Sequence, residues 1–404
     1  MLRKGKRFDL GGHSLECFEQ ADLIAVSPGV PLDIAPLKHA TQNGIPLLGE
    51  IELAARECAA PIVAVTGTNG KSTTTSLLGE IFQHWGKQVF VGGNLGTPLV
   101  NACATQDWDY LVVELSSFQL ETVDQFCPQY GLLLNLSEDH LDRYPDLDSY
   151  YAAKQQLFRN MGSEQTVVLN ADDQQVLQLA SDVMSRRVLF SGSSLINEGM
   201  GRDGGELVWR WQGEEARFKL SELQIKGAHN IENVMAAMIP ALLEGCPAAI
   251  AWQAVCAFRG LEHRMNLVRE LDGVSWYNDS KGTNVGSVLK SLSGLDAPVT
   301  LIAGGKDKGG DYSLLRPLLE ERVSDLILIG EAASKMAREL AGTAQIHHAA
   351  DLADAVLLAQ QVTQKSGTVL LSPACSSFDM FENFARRGDE FCRLVMQLGQ
   401  RESA

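Results

Sequence analysis

The chain is organised around one run of residues, Pro61-Ile62-Val63-Ala64-Val65-Thr66-Gly67-Thr68-Asn69-Gly70-Lys71-Ser72-Thr73-Thr74-Thr75. Its apolar first part predicts a short buried strand, and the part from Ser72 onward predicts a helix. The glycine-rich turn between them lets backbone N–H groups approach an anion, and the positive end of the helix dipole strengthens that attraction. Lys71 can reach outer phosphates, and the hydroxyl of Ser72 or Thr73 can hold Mg²⁺.

The spacing of this loop differs from the general Walker pattern, which has four residues between its first glycine and the Gly-Lys pair. That pattern would require glycine at position 65, where this chain has valine, and only Thr68 and Asn69 separate Gly67 from Gly70. An ordinary glycine turn before a hydroxyl-capped helix is the structural alternative. The combination of strand, Gly-Lys-Ser and helix favours a site for a nucleoside triphosphate.

Composition restricts the class of protein. The 404 residues are enough for two or three domains, and 45% hydrophobic with 21% charged residues is typical of a globular protein. The net charge of -16 argues against nucleic-acid binding and favours a cytoplasmic location. No apolar run approaches the roughly 18 residues of a membrane span, so we expect no membrane insertion. The eight cysteines show no paired spacing, which indicates reduced thiols.

Strand-like and helix-like segments alternate along most of the chain. This alternation predicts an α/β fold of mostly parallel sheets with helices on both faces and ligands at the carboxyl ends of the strands. Residues 204–220 alternate around two tryptophans instead and predict an antiparallel hairpin appended to the sheet. The predicted strands cover residues 21–26, 45–48, 61–65, 88–91, 110–115, 131–136, 166–170, 187–190, 265–271, 274–277, 299–303, 326–329 and 368–371. The predicted helices cover 33–43, 72–85, 97–105, 148–161, 172–183, 228–243 and 248–257, with one from Glu50 and a last one from Asp379.

Acidic residues follow two predicted strands of the first sheet. Glu114 ends one strand, and a carboxylate at that point beside a phosphate loop is placed to bind Mg²⁺. Glu138, Asp139 and Asp142 surround His140 at the end of the next strand. This group could form a second metal site or supply a base. A solvated strand-end acid and an ordinary polar histidine are the structural alternatives.

Three polar loops lie at predicted strand ends in the C-terminal part of the chain, over residues 278–284, 302–311 and 371–377. Each is rich in glycine or serine, and each alone is compatible with routine helix capping. Carboxyl ends of parallel strands meet at one edge of a sheet. Together the loops therefore predict a small-ligand site for an anionic substrate.

These features together resemble the ATP-dependent Mur ligases, and within that family the members that add D-glutamate. Five motifs carry the resemblance in order, at residues 65–75, 114–121, 138–145, 278–284 and 372–379. The likeness extends over nearly the whole chain from Ala21 onward. It implies an incomplete Rossmann-like domain for the UDP-substrate over 1–58, a central P-loop ATPase-like domain over 59–260, and a C-terminal Rossmann-like amino-acid-binding domain over 261–404.

The resemblance implies a cytoplasmic, monomeric enzyme that joins D-glutamate to UDP-N-acetylmuramoyl-L-alanine through an acyl phosphate. The reaction would use ATP and two Mg²⁺ ions in the synthesis of peptidoglycan precursors. The residues implied for ATP are Gly67, Thr68, Asn69, Gly70, Lys71, Ser72, Thr73, Asn230, Asn233 and Arg264. The catalytic residues implied are Lys71 and Arg264, which also belong to the ATP set, together with His140 and Lys154.

The resemblance also implies metal and substrate residues. Ser72 and Glu114 would hold one Mg²⁺, and His140 would serve the second. Lys154 matches a lysine that is carbamylated in the family and would then orient Mg²⁺, although the residue pattern alone places it on a helix surface. The substrate residues implied are Ser27 and Gly29 for the uracil, Asn94 and Ser116 for the muramoyl part, and Lys308, Ser377 and Phe384 for D-glutamate, with Lys335 a weaker candidate.

The beginning of the chain departs from the family pattern. The family starts with a strand, a glycine loop and a helix that grip the uridine diphosphate, and residues 1–20 are too few for such a unit of roughly 30 residues. A late recorded start or a truncated ligase would explain this. Two alternatives to the ligase therefore stay open, namely an ATP-binding homologue with little or no activity and another amino-acid ligase of the Mur or folylpolyglutamate type.

Overall fold

The structure, a computed structural model, describes residues 12–104, 107–141, 143–225 and 227–399. The strands are β1 (Ile24–Val26), β2 (Leu47–Gly49), β3 (Ile62–Thr66), β4 (Val89–Gly93), β5 (Tyr110–Glu114), β6 (Tyr130–Leu133), β7 (Thr166–Asn170), β8 (Arg186–Phe190), β9 (Gly199–Asp203), β10 (Glu206–Trp211), β11 (Glu214–Lys219), β12 (Asn266–Leu271), β13 (Val274–Asn278), β14 (Val299–Gly304), β15 (Val323–Ile329), β16 (Gln345–His348) and β17 (Thr368–Leu371). The α-helices are α1 (Leu15–Glu19), α2 (Ala35–Gln42), α3 (Glu50–Glu57), α4 (Lys71–His84), α5 (Ser117–Leu120), α6 (Leu147–Gln155), α7 (Gln174–Leu179), α8 (Ala228–Leu243), α9 (Ala248–Ala257), α10 (Val285–Ser293), α11 (Arg316–Arg322), α12 (Ala333–Glu339), α13 (Leu352–Val362) and α14 (Phe384–Gln397). Short 3₁₀ segments occur at Leu99–Ala104, Gln156–Phe158, Leu220–Glu222 and Tyr312–Leu315.

The N-terminal part is a small parallel pair of strands. β1 and β2 pair with Ile24 opposite Leu47, and α2 connects them. The following helix, α3, carries the fully buried carboxylate of Glu52, which accepts hydrogen bonds from the backbone N–H groups of Asp124 and Phe126 at 2.8 and 3.0 Å. Because a buried carboxylate is costly unless it is hydrogen-bonded, this contact fastens α3 firmly to the central part of the chain.

The central sheet has nine strands in the order β11-β10-β9-β8-β7-β6-β3-β5-β4. The strands from β4 to β9 pair in parallel, and β10 and β11 are antiparallel additions at one end. Apolar side chains pack on both faces, around Leu77, Phe82 and Val234 on one side and Phe90, Phe126 and Leu157 on the other. The predicted parallel sheet between two layers of helices is therefore confirmed.

Three details of the structure refine or correct the sequence-based expectation. The antiparallel hairpin of β10 and β11 is present as expected, but it continues the central sheet through β9, which pairs with both β8 and β10. The last helix begins at Phe384 rather than Asp379, since Asn383 caps it by accepting a 2.9 Å hydrogen bond from the backbone of Arg386. The helix expected over 97–105 is the 3₁₀ segment Leu99–Ala104.

The C-terminal sheet has six strands in the order β12-β13-β17-β14-β15-β16. All its pairs are parallel except β12 with β13. The edge strand β16 has no counterpart in the sequence-based expectation. The three neighbouring strands β13, β17 and β14 end at the three polar loops, so the loops do meet at one edge of the sheet.

The three sheets lie within the three domains expected from the sequence, and the domain boundaries themselves stay a prediction. In the part of the chain that the structure describes, no helix has both the length and the apolar character needed to cross a membrane.

Candidate active site

The loop between β3 and α4 takes up the backbone conformation that its glycines permit. Gly67 has φ +150° and Gly70 has φ +86°, values that other residues rarely adopt. A Cβ atom at Gly70 would also collide with the side-chain oxygen of Asn233 on α8. The backbone of the loop is held by Asn135, which accepts from the N–H groups of Thr68 at 2.9 Å and Asn69 at 2.8 Å. These glycine conformations and hydrogen bonds together define the shape of the loop.

Two lysines point into this loop. The amine of Lys71 donates to the carbonyls of Gly67 and Thr68 at 2.9 and 2.8 Å, and the amine of Lys154 on α6 donates to the same Gly67 carbonyl at 2.9 Å. Burial lowers the pKa of Lys71, and burial together with the neighbouring Lys71 lowers the pKa of Lys154 strongly. Lys154 is 1% exposed, so its placement on a helix surface from the residue pattern is wrong.

The position of Lys154 follows from the packing of α6. Tyr150 and Lys154 lie one helical turn apart on the same face of that helix. The ring of Tyr150 is buried, its hydroxyl donates to Thr68 at 3.3 Å, and the Lys154 amine lies 4.5 Å from the centre of that ring. Because the buried face of α6 carries both Tyr150 and Lys154, the Lys154 amine reaches the glycine loop.

Glu114 ends β5 beside the loop and is 1% exposed. One carboxylate oxygen, Oε1, accepts a 2.7 Å hydrogen bond from the side chain of Asn94. The other, Oε2, is buried and has no hydrogen-bond partner among the described residues. A buried carboxylate oxygen without a donor is what a bound cation would satisfy. Ser72, also buried, follows the loop at the start of α4.

The described residues contain no cluster of three or more His, Cys, Asp or Glu side chains that could hold a metal ion by itself. Magnesium is usually bound through one or two carboxylates together with substrate phosphates and water. Glu114 and Ser72 fit that pattern, because the phosphates would complete the coordination. The residues present therefore fit a Mg²⁺ ion that arrives with a nucleotide.

His140 and Asp139 lie in the loop after β6. His140 has φ +57°, and its ring lies 4.8 Å from the ring of Phe118. Burial lowers the pKa of His140 to about 4, so its imidazole is neutral and retains a lone pair for a cation at neutral pH. Burial opposes ionisation of Asp139, but Lys308 and His140 together hold the pKa of this carboxyl below its usual value. Asp139 and His140 of the predicted acid–histidine group thus lie together at the strand end, whereas Asp142 lies outside the described residues.

Side chains from the C-terminal sheet reach across to this loop. The Lys308 amine lies 3.5 Å from Asp139 Oδ1, and the Asn284 amide donates to Asp139 Oδ2 at 2.9 Å. The Ser287 hydroxyl donates to the side chain of Asn69 at 2.9 Å. Between the two sheets lies a cleft with a cavity of about 130 Å³, lined by residues from the loop after β6 and from the C-terminal loops. The two sets of strand ends therefore face each other across one cavity.

Arg264 makes a further contact between the two sheets. Its guanidinium donates to the hydroxyl of Thr73 on α4 at 3.0 Å. A second cavity of about 360 Å³ lies beside that contact and is lined in part by Asn230 and Arg259. Asn233 accepts from the Thr74 hydroxyl at 3.4 Å and so lies directly under the glycine loop. The residues expected to bind a nucleotide are thus brought together.

Of the residues expected to bind D-glutamate, Lys308 lines the cleft and the others do not. Phe384 begins α14, and its ring covers the Lys281 amine at 4.0 Å. Ser377 is buried in the loop after β17. Lys335 is not directed at the cleft by its contacts, because its amine is bound by Asp307 at 3.2 Å and by the carbonyl of Gly310 at 2.8 Å. These two contacts hold the Lys335 amine against the loop after β14.

The residues expected to bind the other substrate follow the carboxyl ends of β4, β5 and β1, and Asn94 after β4 donates to Glu114. Ser116 caps α5 in a capping box with Gln119. Ser27 and Gly29 are exposed in the turn after β1. The neighbouring carbonyl of Val30 accepts a 3.4 Å hydrogen bond from Arg143, which links that turn to the His140 loop. The turn is thus connected to the site but lies at its edge.

Sequence reasoning did not single out three residues that the structure places at the site. Asp279 is buried and accepts from the hydroxyls of Ser291 and Ser372, both at 2.7 Å. Burial lowers the pKa of Lys281 to about 8. Arg387 on α14 is fully buried beneath the same loops. The Asn-Asp-Ser-Lys motif signalled the first two, whereas a helix arginine carries no local signal of burial.

The stability of the protein should depend on pH through Asp279. Burial raises the pKa of this carboxyl from 3.8 to about 6, against the opposing hydrogen bonds from the two serines. Because the folded state holds the proton more tightly, stability is fully present below pH 3.8 and is lost as the pH rises through about 6. At 1.36 kcal/mol per unit the loss is about 3 kcal/mol.

The measurement is urea unfolding of wild type and Asp279→Asn between about pH 4 and about pH 7.5. The free energy of unfolding of the variant, relative to wild type, should rise across this range because the asparagine cannot ionise. The exposed Glu382→Gln, whose carboxylate is 83% accessible, is the matched control in the same sheet region. A difference between Asp279→Asn and wild type that stays constant with pH would contradict the assignment.

Comparison with known proteins agrees with this geometry. Residues 65–241 match the family model of the Mur ligase middle domain, and residues 263–375 match that of the Mur ligase glutamate ligase domain. The UDP-N-acetylmuramoylalanine–D-glutamate ligase of Syntrophotalea carbinolica is 59% identical over 98% of this chain and 88% of its own. The enzyme of that name from Geotalea uraniireducens is 51% identical over 97% of this chain and 86% of its own.

Solved structures show the same fold at low sequence identity. A pseudomurein peptide ligase type C from Methanothermus fervidus superposes with a TM-score of 0.67 at 18% identity, over 96% of this chain and 89% of that one. The MurF ligase of Thermotoga maritima in complex with ADP gives 0.65 at 15% identity, over 96% and 97% of the two chains. From the two domain matches and the relatives at 59% and 51% identity, the chain belongs to the Mur ligase family, among its UDP-N-acetylmuramoylalanine–D-glutamate ligases.

Proposed function

We propose that this protein is an ATP-dependent amide ligase that adds D-glutamate to UDP-N-acetylmuramoyl-L-alanine in peptidoglycan precursor synthesis. The observation that carries the proposal is the cleft between two sets of strand ends, with Asp139 and His140 on one wall and Lys308 and Asn284 on the other. The glycine loop adjoins this cleft through the hydrogen bond from Ser287 to Asn69. Such a cleft can hold a triphosphate and an anionic amino acid on opposite sides of one reacting carboxylate. The relatives at 59% and 51% identity carry this enzyme name.

The reaction has two transfer steps. An oxygen of the substrate carboxylate attacks the terminal phosphorus of ATP, which gives an acyl phosphate and ADP. The unprotonated amine of D-glutamate then attacks the acyl carbon, and the tetrahedral intermediate collapses to the amide with loss of inorganic phosphate and a proton. In both steps negative charge moves between oxygens, so catalysis depends on positioning and on fixed positive charge.

The residues of the chain supply that charge and alignment. Lys71 and the N-terminus of α4 bind the phosphates, and Arg264 lies beside them through its contact with Thr73. Asn230 and Asn233 are our candidates for the adenine side of the nucleotide. A bound Mg²⁺ would neutralise phosphate charge as a Lewis acid. Glu114 and Ser72 would hold one such ion, and the neutral imidazole of His140 would serve the second.

Lys308, Ser377 and Phe384 are our candidates for D-glutamate, and Ser27, Gly29, Asn94 and Ser116 for the nucleotide sugar. The support for Lys308 is its contact with Asp139 across the cleft at 3.5 Å. We expect the enzyme to act as a cytoplasmic monomer, in keeping with its net charge of -16.

We further propose that the Lys154 amine is carbamylated. Carbon dioxide adds to an unprotonated amine, and the product loses a proton to leave a carbamate. Burial and the neighbouring Lys71 lower the pKa of Lys154 strongly, which favours the reactive neutral form of its amine more than in an ordinary surface lysine. A carbamate there would replace a second buried cation by an anion beside the glycine loop.

Removal of dissolved carbon dioxide should therefore lower the activity, and added bicarbonate should restore it. Isotope-labelled bicarbonate should give a carbamate carbon signal in the nuclear magnetic resonance spectrum of wild type. Lys154→Arg, which keeps the charge and cannot carry the carbamate under these conditions, should show neither the signal nor the restoration. Equal activity of wild type with and without carbon dioxide, together with no carbamate signal, would exclude the modification.

The proposed function is tested by a coupled assay of phosphate release. Turnover should require ATP, UDP-N-acetylmuramoyl-L-alanine and D-glutamate together, and mass spectrometry should show the amide product. L-Glutamate in place of the D-isomer is the matched control and should give no product. ADP formation that needs neither substrate, or product formed with L-glutamate and a folate instead, would show that the proposal is wrong.

A further inference from the structure

The guanidinium of Arg387 lies at the centre of the three polar loops of the C-terminal sheet. Arg387 is on the first turns of α14 and is fully buried, with 0% of its surface exposed. Its Nε donates to the Ser280 hydroxyl at 3.0 Å and its Nη2 to the Ser280 carbonyl at 2.9 Å. Nη2 and Nη1 also donate to the carbonyls of Cys375 and Ser376, at 3.2 and 3.3 Å. One side chain thus joins the loop after β13 to the loop after β17.

The third loop is held against the same group. A Cβ atom at Gly305, in the loop after β14, would lie 3.2 Å from Arg387 Nη1, so that backbone packs closely on the guanidinium. The backbone N–H of Lys306 donates to the Ser376 carbonyl at 3.0 Å, the same oxygen that Nη1 approaches. All three loops therefore take their relative positions around one planar, charged group.

This arrangement is costly for an ordinary core position. No carboxylate of the described residues forms an ion pair with Arg387, and its donors go to three carbonyls and a hydroxyl. Burial lowers the pKa of Arg387 to about 10, so the side chain is still charged at neutral pH. Burying an unpaired charge costs several kcal/mol, and a hydrophobic side chain would avoid that cost. The planar fork of arginine is instead suited to fixing several acceptors at once.

Two residues that neighbour these anchor points face the site, since Lys308 lines the cleft and Lys281 lines a pocket beside the glycine loop. Lys281 follows Ser280 directly, Ser377 follows Ser376, and Lys308 lies two positions beyond Lys306. The Ser280 hydroxyl that accepts from Nε also donates to the carbonyl of Phe384 at 2.8 Å, which ties the start of α14 to the same cluster. A shift of the guanidinium would therefore move Lys281, Ser377 and Lys308 together.

We propose that Arg387 is a positioning residue for the amino-acid subsite, and that it sets the affinity for D-glutamate without touching it. This inference rests on the proposed function. Because Arg387 has no exposed surface, it acts only through the loops that carry Ser280, Cys375 and Ser376. The nucleotide loop lies in the other sheet and makes no contact with Arg387 among the described hydrogen bonds.

The test is the Arg387→Lys variant, for which KM is measured separately for D-glutamate and for ATP. Lysine keeps the positive charge, but its single nitrogen cannot bridge acceptors on two loops. A misplacement of about 1 Å can cost on the order of a hundredfold in rate. We expect KM for D-glutamate to rise at least about tenfold and KM for ATP to change less than about twofold. Arg386→Lys on the same helix, where the side chain is 68% exposed, is the matched control and should behave as wild type.

A milder variant keeps the test decisive if Arg387→Lys does not fold. Ser280→Ala removes the acceptor of Nε and the donor to the Phe384 carbonyl but keeps the Ser280 carbonyl that accepts from Nη2, and it should raise KM for D-glutamate by a smaller factor. Equal increases in KM for ATP and D-glutamate, or a folded variant with an unchanged KM for D-glutamate, would overturn the inference. Wild type is run in the same assay, and its failure to use D-glutamate would refute the proposed function itself.

Discussion

Replacement of Lys71 by methionine is expected to lower kcat/KM for ATP by at least about a thousandfold. The Lys71 amine is held in the glycine loop by the carbonyls of Gly67 and Thr68, at 2.9 and 2.8 Å. Because it is already desolvated and aligned, its charge can act on the transferred phosphoryl group with little reorganisation. Methionine has a similar length and shape and removes only the charge and the hydrogen bonds.

The measurement is the coupled assay of phosphate release, with circular dichroism to show that the variant is folded. Lys219→Met is the matched control, because Lys219 is exposed on β11 at the far edge of the central sheet. The control should retain wild-type kcat/KM. A folded Lys71→Met variant within about tenfold of wild type would show that the lysine is not at the transferred phosphate.

Replacement of Glu114 by glutamine is expected to lower kcat by about a hundredfold or more at a fixed Mg²⁺ concentration. Oε1 of Glu114 accepts from Asn94 at 2.7 Å, so the amide of the glutamine must turn its oxygen to that donor. Its NH₂ group then occupies the position of Oε2, the buried oxygen that has no partner among the described residues. A donor with partial positive charge there would repel a cation rather than bind it.

The distinguishing readout is the Mg²⁺ dependence of the rate, which should shift to higher concentration in Glu114→Gln and not in the control. Glu80→Gln serves as that control, because Glu80 is exposed on α4. Loss of kcat with an unchanged Mg²⁺ dependence would mean that Glu114 acts only by holding Asn94.

Much of the fold could be predicted because it depends on local patterns. The strands Thr166–Asn170 and Thr368–Leu371 and the helix Ala228–Leu243 were predicted at the bounds that the structure has. Each is a continuous apolar or helical run between clear breakers, so neighbouring residues alone specify it. The glycine loop belongs to the same class, since its backbone conformation is set by its own glycines.

The strands β9 and β16 could not be predicted in this way. β9 has the sequence Gly-Met-Gly-Arg-Asp, and β16 has Gln-Ile-His-His, so neither has an apolar run. Each is a strand because a partner offers hydrogen bonds, β10 and β8 for the first and β15 for the second. Strand formation there is decided by pairing with distant residues rather than by propensity.

The amino-acid sequence by itself determined the α/β class, the nucleotide loop and the strand ends at which chemistry is placed. It did so because strand and helix periods, glycine conformations and parallel connections are local properties. The tertiary structure alone decided that Lys154 is buried in the loop, that Asp139 meets Lys308 and Asn284, and that Arg387 joins three loops. Those facts depend on which faces pack together over large separations in sequence, and burial then sets the pKa values and the contacts that the chemistry uses.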